Sequence, residues 1–487
     1  MWRCNAVART GGTPTRSRWS ARAFAVAVAL AGVVTMQGIA VAPARAASAP
    51  PPIKHVWLVQ LENLSFDESI SNNPNKFLSR VLPASGKVLT QYYGIGHFSL
   101  DNYIAQLSGQ APNPETQGDC QVYRDVTPGT LVPNGTDQGG QAIGQGCVYP
   151  STVLTLGDQL TAKGMTWKGY MEDMGNNATR DGGTACAHPS LNSQDSTQKA
   201  AADDQYAARH NPFVYFHSII DSPACATNDV ALPALGADLQ SVSSTPNFSF
   251  IVPNLCNDAH DATCAGPTAC GAGPGGTGGL VAADCWLQTW IPRIVNSPAY
   301  KQDGMVIVTF DESNTLGSNG GPGDAASCCN EMGGPGNPAA PGQTGRGGGH
   351  ISMVILSRWV KPRTTSATPY NHYSLLRSLE DLYGIGSGGS DGQGHLGFAG
   401  QSGLAAFGLD VYDNPGGGNA AGLVATPSAS VPIPGLTAAA IGAPNAGGGP
   451  AAGTVGALAL GISAAVAGMG LAGVVARRQP RRQGETH

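Results

Sequence analysis

The sequence predicts a layered α/β fold, and three observations carry that prediction. Four short, nearly unbroken apolar runs, at 55–61, 248–252, 305–310 and 351–356, read as strands of a sheet covered on both faces. Helical spacing of apolar residues lies around them, at 102–107, 153–163 and 373–383, and in the last Leu375, Leu376, Leu379 and Leu382 fall on one face. Strands alternating with helices build a sheet with helices packed on it. Between Pro51 and Asp413 no charge-poor linker divides the chain, so this stretch reads as one domain.

The ends of the chain read differently from its body. Arg3, Arg9, Arg16, Arg18 and Arg22 precede an uncharged apolar run at 23–41 and the small-x-small site Ala44-Arg45-Ala46, the order of a signal peptide over 1–46. The body is expected over 47–413. A stalk rich in Gly, Ala and Pro is expected over 414–454, and a membrane-spanning helix over 455–476. The tail 477–487 opens with Arg477 and Arg478, which places it in the cytoplasm and the body outside the cell, held at the membrane by the span or released. The formal net charge is −5, and the body is more acidic than that because ten of the arginines sit in the two ends. An acidic body argues against nucleic acid as a partner, since that binding needs cations to displace phosphate counterions.

Of 11 cysteines, Cys4 lies in the leader. The remaining even set has no C-x-x-C pair, so disulfides are expected rather than zinc sites. Cys328 and Cys329 are expected to bond to different partners, because adjacent cysteines close a ring poorly.

The chemistry-bearing residues follow strands. Glu62 and Asn63 come after the first run, Asp258 and His260 shortly after the second, and Asp311 and Glu312 directly after the third. In open α/β sheets functional groups gather beyond the carboxyl ends of the strands. Acids brought that close repel one another unless a cation joins them, so a divalent metal ion with oxygen ligands is the expected cofactor. Taken singly, each acid reads as a cap for the next turn. His350 opens the fourth run after three glycines, and alone it reads as structural. Two glycine-rich loops, 265–279 and 317–349, read either as binding loops or as surface insertions. Ser99 begins a helical stretch that stops at Ser108-Gly109. It reads equally as an N-cap and as a nucleophile at a helix end that welcomes phosphate. No G-x-S-x-G, H-E-x-x-H or G-x-x-x-x-G-K-[ST] occurs.

The stretch His55-Val-Trp-Leu-Val-Gln-Leu-Glu-Asn-Leu-Ser-Phe-Asp67 resembles the E-N-x-S-F-D signature of the bacterial phosphoesterase family, which joins phospholipases C and secreted acid phosphatases within the alkaline-phosphatase-like superfamily. Residues 99–109, 167–173, 252–260, 309–312, 349–350 and 371–384 match its style in order. The resemblance implies a three-layer fold around a mostly parallel sheet. It implies metal ligands at Glu62, Asn63, Asp311 and Glu312, a nucleophile at Ser99, and positions that bind phosphate or a second metal at Asp258, His260 and His350. Asp101 stands where the family more often has Pro. The sulfatase motif C/S-x-P-x-R is absent.

The expected activity is that of an exported acid phosphatase on phosphomonoesters, phosphoinositides among them, so the expected partner is a small phosphate ester or a lipid head group. The absence of a further C-terminal domain favours this over a phospholipase C acting on phosphodiesters. A surface binding protein with a dead site is the alternative of another class, and the intact Glu62, Ser99, Asp311 and His350 speak against it.

Overall fold

The computed structural model describes residues 49–314, 324–335 and 347–418. The leader, the membrane span, the basic tail, nearly all of the stalk and much of the 317–349 loop lie outside these residues. Among the described residues no helix is long and apolar enough to cross a membrane.

A nine-stranded sheet forms the centre. Its strands are β1 (His55–Leu61), β2 (Lys87–Tyr93), β3 (Trp167–Met171), β4 (Asp229–Ala231), β5 (Phe248–Val252), β6 (Gly304–Phe310), β7 (His350–Ser357), β8 (Thr364–Ser366) and β9 (Tyr370–Asn371). The order is β8-β2-β7-β6-β1-β5-β3-β4, with β9 beside β2. Every residue of β1, β5 and β6 is buried. Successive side chains point to opposite faces, so both faces of these strands are covered. Each fully buried Val, Leu or Ile there contributes roughly 1.5–3 kcal/mol. The three central strands therefore give firm support to what their tips carry.

The pairing is parallel except at β7, which runs antiparallel to both β6 and β2. The chain leaves β6 and enters β7 at the same rim, and a strand that starts where its neighbour ended must run back along it. That reversal brings His350, the first residue of β7, to the rim where β1, β5 and β6 finish.

Three helices matter for the site: α1 (Ser99–Ser108), α2 (Gly279–Asn296) and α3 (His372–Leu382). All ten residues of α1 are buried. It ends at Gly109, whose φ of +66° lets its N–H close on the Ala105 carbonyl at 3.0 Å, a backbone form that costs glycine nothing.

The ten cysteines of the body form five disulfides: Cys120–Cys147, Cys186–Cys225, Cys256–Cys264, Cys270–Cys285 and Cys328–Cys329. The last corrects the expectation that the adjacent pair bonds elsewhere. The other eight cysteines are already matched by the fold, which leaves these two only each other.

The loop after α3 is latched by His395, whose Nδ1 lies 2.6 Å from Asp391 and Nε2 3.1 Å from Asp381. Burial works against its charge, and Arg377 does too, but the two carboxylates outweigh them and raise its pKa. The same pairing lowers that of Asp391, against its burial. A raised histidine stabilises below its unfolded value and loses that gain as pH climbs through the folded one; a lowered carboxylate loses its gain in acid. His395→Gln is therefore expected to lower Tm most near pH 5, by on the order of 2–4 °C, with the gap closing by pH 8. Thermal melts across that range check this, and a gap that widens toward pH 8 would refute the latch.

Candidate active site

The sheet order brings the acids together. β1 lies between β5 and β6 and is parallel to both, so all three strands end side by side. Backbone bonds continue past the tips: the Glu62 N–H donates to the Asp258 carbonyl at 2.8 Å, and the Asp311 N–H to the Leu61 carbonyl at 3.0 Å. The Asn63 N–H donates to Asp311 Oδ1 at 2.9 Å. Glu62, Asp258, Asp311 and Glu312 are all fully buried.

Ser99 is the first residue of α1, and Phe98 is the capping position, making no side-chain cap bond. The Ser99 hydroxyl donates instead to Glu62 Oε2 at 2.6 Å. The N-cap reading of this serine is thereby excluded. Tyr103, one turn along the same helix, donates to Glu62 Oε1 at 2.5 Å. The carboxylate thus holds the serine oxygen at the positive end of a helix.

His210 was not among the expected site residues. It is buried and stacks flat on Tyr103, with ring centroids 5.3 Å apart. Its Nε2 lies 3.4 Å from Glu62 Oε1 and its Nδ1 3.5 Å from Asp258 Oδ2. Burial, then the charges of Arg209 and His260, push its pKa well down, so the ring is neutral and offers a lone pair. No strand end announces it; it sits in a short 3-10 turn, Ala208–His210.

Four buried atoms here have no hydrogen-bond partner: Asn63 Oδ1, Asp258 Oδ2, Asp311 Oδ2 and His210 Nε2. A buried polar atom left unpaired is costly, and these four are of the oxygen and imidazole types that a divalent cation can accept. Burial pushes Asp258 up to about 8 and Asp311 up to about 6, and it raises Glu62, with help from Asp311 and Asp258. Among the described residues, one set of His, Cys, Asp and Glu ligand atoms lies within 4.8 Å of one another, Cys186, Cys225 and Asp229, and its two sulfurs are joined in a disulfide. No three of the strand-end acids and His210 bring ligand atoms that close to one another.

Glu312 is turned another way. Its Oε1 accepts the Phe98 N–H at 2.9 Å, and its Oε2 meets His97 Nδ1. His97 Nε2 donates to the Asp324 carbonyl at 2.8 Å. Burial lowers the pKa of His97, and burial with the charges of Asp311 and Asp119 raises that of Glu312. Both carboxylate oxygens of Glu312 are spent on the loop that carries Ser99, which sets it apart from the unpaired donors of Asp258 and Asp311. His372 fixes the neighbouring acid from behind: its Nε2 donates to the Asp311 carbonyl at 2.6 Å while Nδ1 accepts from Tyr92 at 3.0 Å. Burial pushes its pKa down to about 4.

The two expected phosphate histidines lie at the rim without touching Ser99. His260 is exposed, bonded to Asp261 at 2.8 Å, and its backbone N–H donates to Asp258 Oδ1 at 2.9 Å. His350 donates from Nε2 to the Thr90 carbonyl at 2.8 Å and stacks on Phe66 at 5.0 Å. Arg209 adds a nearby cation. Its Nη1 donates to the Gln198 carbonyl at 3.1 Å and its Nε lies 3.7 Å from Asp119, whose Oδ1 accepts the Leu100 N–H at 3.1 Å.

A cavity of about 740 Å³ lined by Trp359, Phe407, Leu409 and Tyr412 lies at the opposite rim, where β1 begins and β7 ends, and includes none of these residues.

The Phosphoesterase family matches residues 81–386. The chain is 24% identical over 338 residues to a phosphate-repressible acid phosphatase of Penicillium chrysogenum, covering 68% of this chain and 59% of that one. It is 24% identical over 366 residues to a phosphatidylinositol-3-phosphatase of Mycobacterium tuberculosis, covering 75% and 89%. The chain thus spans less than two thirds of the fungal relative. Among solved structures, a protein in the alkaline phosphatase superfamily from Vibrio parahaemolyticus aligns with a TM-score of 0.35 and 14% identity over 69% of this chain and 68% of that one.

Proposed function

The chain belongs to the Phosphoesterase family, and from that premise we propose that it is a phosphoric ester hydrolase, a metal-dependent phosphomonoesterase with Ser99 as nucleophile. The observation that carries the reading is the Ser99 hydroxyl held 2.6 Å from buried Glu62, beside four unpaired buried donors. Glu62, Asn63, Asp258, Asp311 and His210 would hold a divalent cation. When bound, that cation supplies positive charge to the phosphoryl group and to the serine oxygen, the main need of phosphoryl transfer. Glu62 and Tyr103 orient the serine oxygen. The α1 N-terminus and Arg209 favour the phosphate dianion over the acids around it, with His260 at the open edge. Ser99 Oγ gives up its proton and forms a bond to phosphorus as the bond to the leaving alcohol oxygen breaks, and that oxygen takes up a proton, so the alcohol leaves neutral. Water then displaces Ser99 and releases inorganic phosphate.

The relatives' names, acid phosphatase and phosphatidylinositol-3-phosphatase, support small phosphate monoesters and phosphoinositide head groups as substrates. Five disulfides suit an oxidising compartment, in keeping with the leader and the C-terminal anchor read from the sequence. The test is phosphate release from a monoester, with and without chelator, beside release of phosphocholine from phosphatidylcholine. The expected result is monoester hydrolysis that chelator abolishes and a divalent cation restores. Hydrolysis of phosphatidylcholine alone would make the protein a phospholipase C, and no hydrolysis of either would make it a binding protein.

A further inference from the structure

Phe98 combines three properties found together at no other described residue. It is 39% exposed, although the chain on either side of it is buried. Its backbone has φ +83° and ψ +138°, a region in which glycine alone is unstrained. It also immediately precedes Ser99. Ile143, Leu191, Val281 and Leu409 are the other exposed large apolar residues, and none of them has a positive φ or adjoins the site.

The strain is held from both sides of the residue. Its N–H donates to Glu312 Oε1 at 2.9 Å and its carbonyl accepts from Asn102 Nδ2 at 3.2 Å. A glycine would make both bonds without strain, so the backbone alone does not call for a phenyl ring here. Strain kept next to a reactive group points to a use for the side chain. Ser99 is 5% exposed, so of these two neighbours it is the Phe98 ring that faces solvent.

We propose that the Phe98 ring is a contact surface for the organic part of the ester, so that the enzyme prefers phosphomonoesters whose alcohol is aromatic or otherwise flat and apolar over those of small acyclic polyols such as glycerol. The proposal rests on the phosphomonoesterase reading of the same site. An aromatic face covers such a group at little entropic cost and gains further from offset stacking.

The test compares wild type with Phe98→Gly, which relieves the strain and removes the ring, and Phe98→Leu, which keeps apolar bulk. The readout is the ratio of kcat/KM for 1-naphthyl phosphate to that for glycerol phosphate. The ratio is expected to fall about tenfold in Phe98→Gly, mainly through KM, and less in Phe98→Leu, the scale of losing one apolar contact in a pocket. An unchanged ratio, with both substrates slowed alike, would make Phe98 a backbone element only and overturn the proposal. Calorimetry with benzylphosphonate and methylphosphonate, neither of which can be turned over, separates the two ideas. If wild type hydrolyses no monoester, the functional reading fails. The ring contact then stands or falls on whether Phe98→Gly loses its preference for benzylphosphonate.

Discussion

Replacing Ser99 by alanine is expected to lower kcat on a phosphate monoester by roughly 10⁴-fold or more, the scale seen when a nucleophile is removed from an otherwise intact site. The fold should survive. Ser99 contributes one hydrogen bond, to Glu62 Oε2, and Glu62 keeps its bond from Tyr103. A lost bond to a buried carboxylate costs on the order of 1–3 kcal/mol, a shift of several degrees in Tm for a body of this size. Acid quenching during turnover of labelled substrate should trap phosphoenzyme in the wild type and none in the variant. Near wild-type turnover by Ser99→Ala would remove the nucleophile assignment, whatever became of the metal.

Asp311→Asn carries the second large effect, and its sign is opposite for activity and for metal-free stability. Asparagine keeps an oxygen for the Asn63 N–H, so the local backbone is preserved. It removes one negative charge from a buried group of acids whose pKa values stand above their usual range. Metal per chain is expected to fall sharply and activity by about 10³-fold, the scale for a main electrostatic element of a site. Stripped of metal, the variant should be at least as stable as stripped wild type, because like charges no longer crowd without a counterion. A cation held at 1,000 times its Kd adds about 4 kcal/mol to the wild type, so chelator should lower the wild-type Tm and leave that of the variant nearly still. Elemental analysis with paired melts decides it. Full metal content and an unchanged chelator response would show that Asp311 is no ligand.

Much of the scaffold was legible because buried strands leave little freedom of composition. The runs at 55–61 and 248–252 are β1 and β5 as read, and those at 305–310 and 351–356 gain only Gly304 at one end and His350 and Ser357 at the ends of the other. The acids that follow them were legible for the same reason: a carboxylate directly after a buried strand stands at a rim. β2 was harder, since Thr90, Gln91 and Tyr93 break its apolar run. His210 carried no signal of this kind, because a 3-10 turn has no period that aims a side chain. Its place against Tyr103, Glu62 and Asp258 emerges only when segments far apart in the chain meet.

The local patterns of this chain, by themselves, determined four of the nine strands of the central sheet, the helices α1 and α3, and where the acids and Ser99 stand along them, since each depends on neighbours within a few residues. Tertiary structure decided the rest. It set β1 between β5 and β6, turned β7 antiparallel, joined Cys328 to Cys329, and committed Glu312 to His97 and Phe98 while leaving Asp258 and Asp311 with unpaired oxygens. Those outcomes rest on contacts such as Asn63 to Asp311, 248 residues apart. At that separation strand order and packing choose the partner, and no local preference reaches so far.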